Sequence, residues 1–186
     1  MCFTLMACGL TPRCAQDYND SGVVRFEQIV KMITECDWSI HDVSRVELDA
    51  DSKLPRFNMP LELGADLGLR MRGTASQKAR RTLILDRTHH QYDKTLSDIS
   101  GMDVATHAGS EHGVIKSVRD WVQANLKDQR LPGSKAIVGD YAVYNTIAPD
   151  LIAALRLDPD DEMPHGDFLH VVEQALPLIE KRVRTN

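Results

Sequence analysis

Three consecutive aliphatic residues, Leu83, Ile84 and Leu85, lie inside the segment RTLILD and constrain the fold more than anything else in the chain. Successive residues of a strand point to opposite faces of a sheet, so an unbroken apolar run is buried on both. Arg81 to Asp86 is therefore expected to be a strand of a sheet covered on both sides. A strand is also expected from Trp38 to Val43, and a weaker one from Met102 to Thr106. Between and after them run helical patterns. Phe26, Ile29, Val30 and Ile33 recur at helical spacing within Val23 to Cys36, and Val114, Ile115, Val118, Trp121 and Val122 mark a helix ending near Leu126. A third helix is expected to open at Asn58, with Asn58 as its cap and Pro60 in its first turn. Strands alternating with helices imply an α/β fold, an open parallel sheet with helices on both faces.

The remaining segments carry weaker expectations. Cys2 to Leu10 is either a strand or a helix capped by Gly9, and Pro12 to Gln16 is a short strand. Asp20 or Ser21 caps the Val23 helix, and Gly64 and Gly68 let the next helix approach the sheet closely. Ser44 to Phe57 is an acidic loop long enough to be functional. Thr88 to Gly101 is irregular, with room for one helical turn. Leu131 to Ser134 reads as a linker, followed by helical patterns at Tyr141 to Leu157 and Asp167 to Arg182 that Pro149 and Pro177 kink or split. The expected organisation is an α/β domain over residues 1–130 and a helical extension over 131–186.

Charge and composition exclude several classes of function. A net charge of −5 and 5% aromatic residues are unsuited to binding nucleic acid, and the small basic group Lys78, Arg80 and Arg81 reads as a solvated helix end. Cys2, Cys8, Cys14 and Cys36 have no zinc-type spacing, so reduced thiols in a cytoplasmic protein are expected, with no metal. His89, His90, His107 and His112 also lack a ligand pattern. No secretory leader or membrane span is expected.

Two carboxylates stand where open sheets place ligands. Asp42 ends an apolar strand, at the edge where such folds bind, and either contacts a ligand or caps the next turn with Ser44. Glu62 follows near a helix start, where free N–H groups favour a carboxylate; it either helps the helix begin or acts at a breaking glycosidic bond. Asp42 and Glu62 are expected to face one crevice. His41 alternates with Asp42 and is expected to be a satisfied, partly buried histidine. In SDISGMD, Asp98 either binds a ligand or holds its own loop.

The pairing of HDVS with NMPLELGADLG resembles the nucleoside 2-deoxyribosyltransferase and deoxynucleotide N-hydrolase superfamily, which shares a flavodoxin-like core with TIR-type NAD-cleaving domains. CGLTPRCAQDYNDSGVVRFEQIV, CDWSIHDVSRVEL, LPRFNMPLELG, LILD and SDISGMDVATH are more similar still to a group of bacterial relatives of that superfamily, from about Cys8 to Trp121. The resemblance implies a flavodoxin-like (Rossmann-like) sheet that cleaves or transfers the N-glycosidic bond of a nucleoside, nucleotide or NAD without a cofactor. It implies Glu62 as the catalytic glutamate and Asp42 as an acidic group orienting the substrate. Ser44, Asn58, Met59, Asp98 and Asp103 are implied to line the substrate site. A nucleotide-like small molecule and a homo-oligomeric assembly are the implied partners. Such domains open with a strand that here is replaced by Cys2 to Leu10 or supplied by a partner subunit. The alternative is a non-catalytic nucleotide-sensing or assembly module of a bacterial defence or signalling system.

Overall fold

The computed structural model describes residues 1–18, 20–45, 57–158 and 163–185. Most of the acidic loop after Ser44 lies outside them. The chain divides into two compact units, residues 20–117 and residues 1–19 with 118–186.

The unit of residues 20–117 contains the sheet. Helix α2 (Arg25–Glu35) precedes strand β1 (Trp38–Asp42); α3 (Asn58–Arg72) and the short α4 (Ala75–Ala79) lead into β2 (Arg81–Asp86). Two 3-10 turns, Tyr92–Lys94 and Ser97–Ile99, precede β3 (Ala105–Thr106). The strands are parallel in the order β1-β2-β3, with Ile40 opposite Leu83, His41 opposite Ile84, and Asp86 opposite Thr106. This is the expected α/β arrangement, and Leu83, Ile84 and Leu85 are all buried as their run requires. On the α3 side, Val43, Leu63, Ile84 and Tyr92 pack together, flanked by Leu67, Leu96, Ile99 and Val104.

Several local expectations change. Asp20 and Ser21 do not cap α2: Val24 stands at its cap, and the Asp20 carboxylate instead closes a turn by accepting from the Gly22 N–H at 2.9 Å. Ile29 and Ile33 are buried as their spacing predicts, whereas Phe26 stays exposed. Phe57, not Asn58, caps α3, with Pro60 in the first turn. Gly64 and Gly68 meet nothing within 4 Å, so they serve no close approach. The face of α3 turned to the sheet carries Leu63 and Asp66, which put Gly64 and Gly68 on the exposed side. Arg80 is not a solvated helix end. It is buried, its guanidinium donates to the Cys36 carbonyl at 2.7 Å, and Nε lies 3.2 Å from Asp66 Oδ1.

The unit of residues 1–19 and 118–186 is helical. Helix α1 (Cys2–Ala7) settles the first segment as a helix followed by Gly9 at φ +77°, so Cys2 to Leu10 is not a substitute strand. Pro12 to Gln16 is likewise not a strand; it runs into a 3-10 turn at Ala15–Asp17. Helix α5 (Glu111–Asn125) crosses the division between the units, and α6 (Ser134–Ala154) and α7 (His165–Thr185) follow. Both long helices continue through Pro149 and Pro177. Proline removes one N–H bond per helix, and burial of Ile147, Ala148, Ala175 and Ile179 around those positions offsets that loss. Phe3, Tyr141, Tyr144 and Phe168 form an aromatic group with neighbouring centroids 5.2–6.3 Å apart. Leu131 to Ser134 is a pinned connection: Arg119 donates to the carbonyls of Leu131 and Pro132, and the Leu131 N–H donates to Gln123. Among the described residues, no helix is long and apolar enough to cross a membrane.

Candidate functional site

The carboxyl edge of the sheet brings together Asp42 at the end of β1, Asp86 at the end of β2 and His107 just after β3. The His107 N–H extends the ladder by donating to the Asp86 carbonyl at 3.1 Å. Its ring is buried, with Nε2 3.5 Å from Asp42 Oδ1. The Gly109 N–H donates to His107 Nδ1 at 3.1 Å. A backbone N–H only donates, so Nδ1 accepts here and the ring's proton falls to Nε2, which is buried near the Asp42 carboxylate without a hydrogen bond to it. The other contact to Asp42 Oδ1 is the Ser44 N–H at 3.0 Å, an Asx turn. Asp42 thus caps its own turn and still presents a carboxylate that is about one-third exposed.

The chain around His107 is shaped to hold it. Ser110 caps α5 by accepting from the Gly113 N–H, and its hydroxyl donates to the His107 carbonyl. A Cβ at Gly113 would stand 2.0 Å from that carbonyl oxygen, so only glycine fits. This is the close backbone approach that was expected at Gly64 and Gly68.

Asp86 is fully buried and has no room for a ligand role. Its two oxygens accept from the N–H groups of Arg87 and Tyr92, fixing the loop that leaves β2. Farther along, Asp93 ties that loop together, accepting from the Ser100 hydroxyl at 2.9 Å and pairing with His90. The Ser100 hydrogen bond, helped by His90, holds the Asp93 carboxyl below its ordinary value. Asp98 sits exposed in the second 3-10 turn and Asp103 is exposed two residues before β3; neither has a side-chain partner among the described residues. Asn58 is exposed at the start of α3, Met59 is half-buried and Ser44 is buried.

Glu62 belongs to the opposite side of the strand. Ser39 and His41 both reach Asp66 of α3, so α3 covers their face, and alternation turns Asp42 to the other. Glu62 is one turn before Asp66 on α3, half-buried and without a side-chain hydrogen bond among the described residues. As the fifth residue of that helix it lies beyond the four free N–H groups, so the helix-start argument does not apply to it. Burial raises its pKa above the ordinary 4.5, against the opposing pull of His41 and Arg25. The charges acting on Glu62 are those two, and Asp42 is paired instead with His107.

The anchor of this arrangement, Asp66, carried no mark in the sequence. Fully buried, it accepts from the hydroxyls of Ser39 at 2.5 Å and Thr82 at 2.9 Å, lies 3.2 Å from His41 Nε2, and pairs with Arg80. Burial alone would raise its pKa, but the hydrogen bonds from His41, Ser39 and Thr82 outweigh it and hold the carboxyl at about 2. His41 is thereby the satisfied histidine its position predicted, and α3 is locked onto both β1 and β2.

Compared with known proteins, the chain matches no family model, no curated protein and no solved structure.

Proposed function

We propose that residues 20–117 form a flavodoxin-like domain that cleaves or transfers the N-glycosidic bond of a nucleoside, nucleotide or NAD. The observation that carries this reading is Glu62: a half-buried carboxylate with no hydrogen-bond partner among the described residues, on a helix anchored one turn away by Asp66. The structural carboxylates are engaged within the fold, Asp66 by hydrogen bonds and an ion pair, Asp86 and Asp93 by hydrogen bonds. Glu62, with no protein partner among the described residues and a rigid support, is open to a substrate.

In this reading ionised Glu62 attacks the anomeric carbon, and the C–N bond breaks with its electron pair leaving on the base, which is protonated as it departs. Water or an acceptor hydroxyl then opens the glycosyl ester and restores the carboxylate. The substrate lies over the carboxyl end of β1, so that Asp42, on the other face from Glu62 and held by the Ser44 N–H, accepts hydrogen bonds from sugar hydroxyls. Ser44 acts through its N–H on Asp42, while Asn58, Met59, Asp98 and Asp103 contact the rest of the substrate. The edge position of β1 among the described strands supports assembly with a second copy.

A second reading, nucleotide sensing without turnover, is favoured by the placement of Asp42 and Glu62 on opposite sides of β1. Release of free base or nicotinamide from a panel of nucleosides, nucleotides and NAD separates the two: turnover supports the enzyme, and thermal stabilisation without turnover supports the sensor.

A further inference from the structure

The helical unit gathers a second set of chemical groups that no sequence spacing announces. Cys14 Sγ, a carboxylate oxygen of Asp17 and a ring nitrogen of His165 lie within 4.8 Å of one another. Cys14 and Asp17 sit three residues apart around the 3-10 turn, and His165 arrives from the first residue of α7. The imidazole is held from both ends, with Nδ1 2.5 Å from Asp17 Oδ1 and Nε2 3.8 Å from Cys2 Sγ. His165 is buried, while Asp17 remains partly open to solvent.

We propose that Cys14, Asp17 and His165 bind a divalent cation of the zinc class, with Cys2 orienting the imidazole from its other side. One thiolate, one imidazole and one carboxylate form a borderline-soft donor set, which suits zinc and disfavours magnesium or calcium. Zinc–ligand bonds of about 2.0–2.3 Å place tetrahedral ligand atoms roughly 3.3–3.8 Å apart, close to the present spacing of no more than 4.8 Å. Asp17 Oδ1 and His165 Nδ1, 2.5 Å apart, part by roughly 1 Å to admit the ion between them. Asp17 and His165 are hydrogen-bonded, and a cation replaces the bridging proton with a stronger positive charge. Asp17 Oδ2 is already engaged by the Cys14 N–H at 3.2 Å and by Arg13 Nε at 3.5 Å, which leaves Oδ1 to face the metal. Three protein ligands leave a fourth position for water.

The order Cys2, His165, Asp17 also has the outline of a thiol–imidazole–carboxylate relay. Cys14 has no part in such a relay, whereas metal binding uses Cys14, Asp17 and His165 together.

The test uses the full chain, stripped with chelator and titrated with Zn²⁺ and Co²⁺. The site predicts one cation per chain, thiolate-to-cobalt charge-transfer absorption, and proton release on binding. It also predicts protection of Cys14 from alkylation by Zn²⁺ in the unmutated protein. Cys14→Ser abolishes the charge-transfer band, Asp17→Asn and His165→Asn weaken zinc by at least tenfold, and Cys2→Ser weakens it by about tenfold. Circular dichroism shows whether each variant is folded; where one is not, the alkylation result in the unmutated chain decides. No saturable binding, an unchanged band in Cys14→Ser, or Cys14 alkylated equally fast with and without Zn²⁺ overturns the proposal.

Discussion

His107 Nε2 lies 3.5 Å from Asp42 Oδ1, joining the carboxyl ends of the two outer strands across β2. The pairing gives Asp42 a fixed orientation without burying it, which is what a group that meets a sugar hydroxyl requires. Asp42→Asn keeps an oxygen for the Ser44 N–H but loses the charge. Losing one charge-assisted hydrogen bond of about 1.5–3 kcal/mol weakens binding roughly 10- to 100-fold. Nucleotide titration followed by calorimetry measures it, with folding checked by circular dichroism; unchanged affinity in Asp42→Asn removes Asp42 from the site.

Asp66 makes stability depend on acid. Its carboxyl is held at about 2 in the folded chain against an ordinary 3.8, so the folded state favours the ionised form. The resulting stabilisation, on the order of 2 kcal/mol, is fully present above the unfolded value and is lost as pH falls from near 4 through about 2. Urea midpoints measured across that window drop in the unmutated protein. In Asp66→Asn the drop is smaller, on a stability already reduced at neutral pH because Arg80 is left without its buried partner. Equal acid sensitivity in the two proteins contradicts the assigned role.

Gly113→Ala forces a methyl group against the His107 carbonyl. The expected cost is about 1–3 kcal/mol, the range for overpacking a tight contact, read as a lowered urea midpoint. Gly64→Ala, made on the same protein, removes a helix glycine from open space and raises stability by up to about 1 kcal/mol. The opposite signs of the two substitutions are the check.

Much of the sheet was legible in the sequence because its chemistry is local. The run Leu83 to Leu85 marks a doubly buried strand by itself, and β2 begins and ends where RTLILD does. Asp42 was legible for the same reason, as the polar residue closing an apolar strand. Asp66 was not, because a carboxylate in the middle of an amphipathic helix looks solvated until Ser39, His41, Arg80 and Thr82 from other elements surround it. The pairing of Asp42 with Glu62 fails to appear for a related reason. Both flank one strand, but alternation assigns His41, not Asp42, to the α3 face. In the sequence His107 is only one of four histidines, and the Gly109 and Gly113 that position it have no periodic pattern to reveal them. Cys14 and His165 are separated by 150 residues of chain, so spacing rules for metal ligands had nothing to register.

The outer edge of β1 bears on assembly. It has no strand partner among the described residues, and an open parallel edge is readily paired by another chain. Light scattering after size exclusion is expected to give a dimer or higher species, and a strict monomer at working concentration contradicts the assembly reading.

The central claim rests on Glu62. Its raised pKa means that the carboxylate is ionised only above the usual 4.5, so the acidic limb of kcat/KM is expected above that pH. The most direct measurement is release of free base or nicotinamide from the substrate panel by the unmutated protein and by Glu62→Gln. The account predicts turnover that falls at least about 100-fold in Glu62→Gln, the loss expected for a group acting in the transition state, while ligand binding is retained. Equal release by the two proteins, or no release from any substrate, contradicts it.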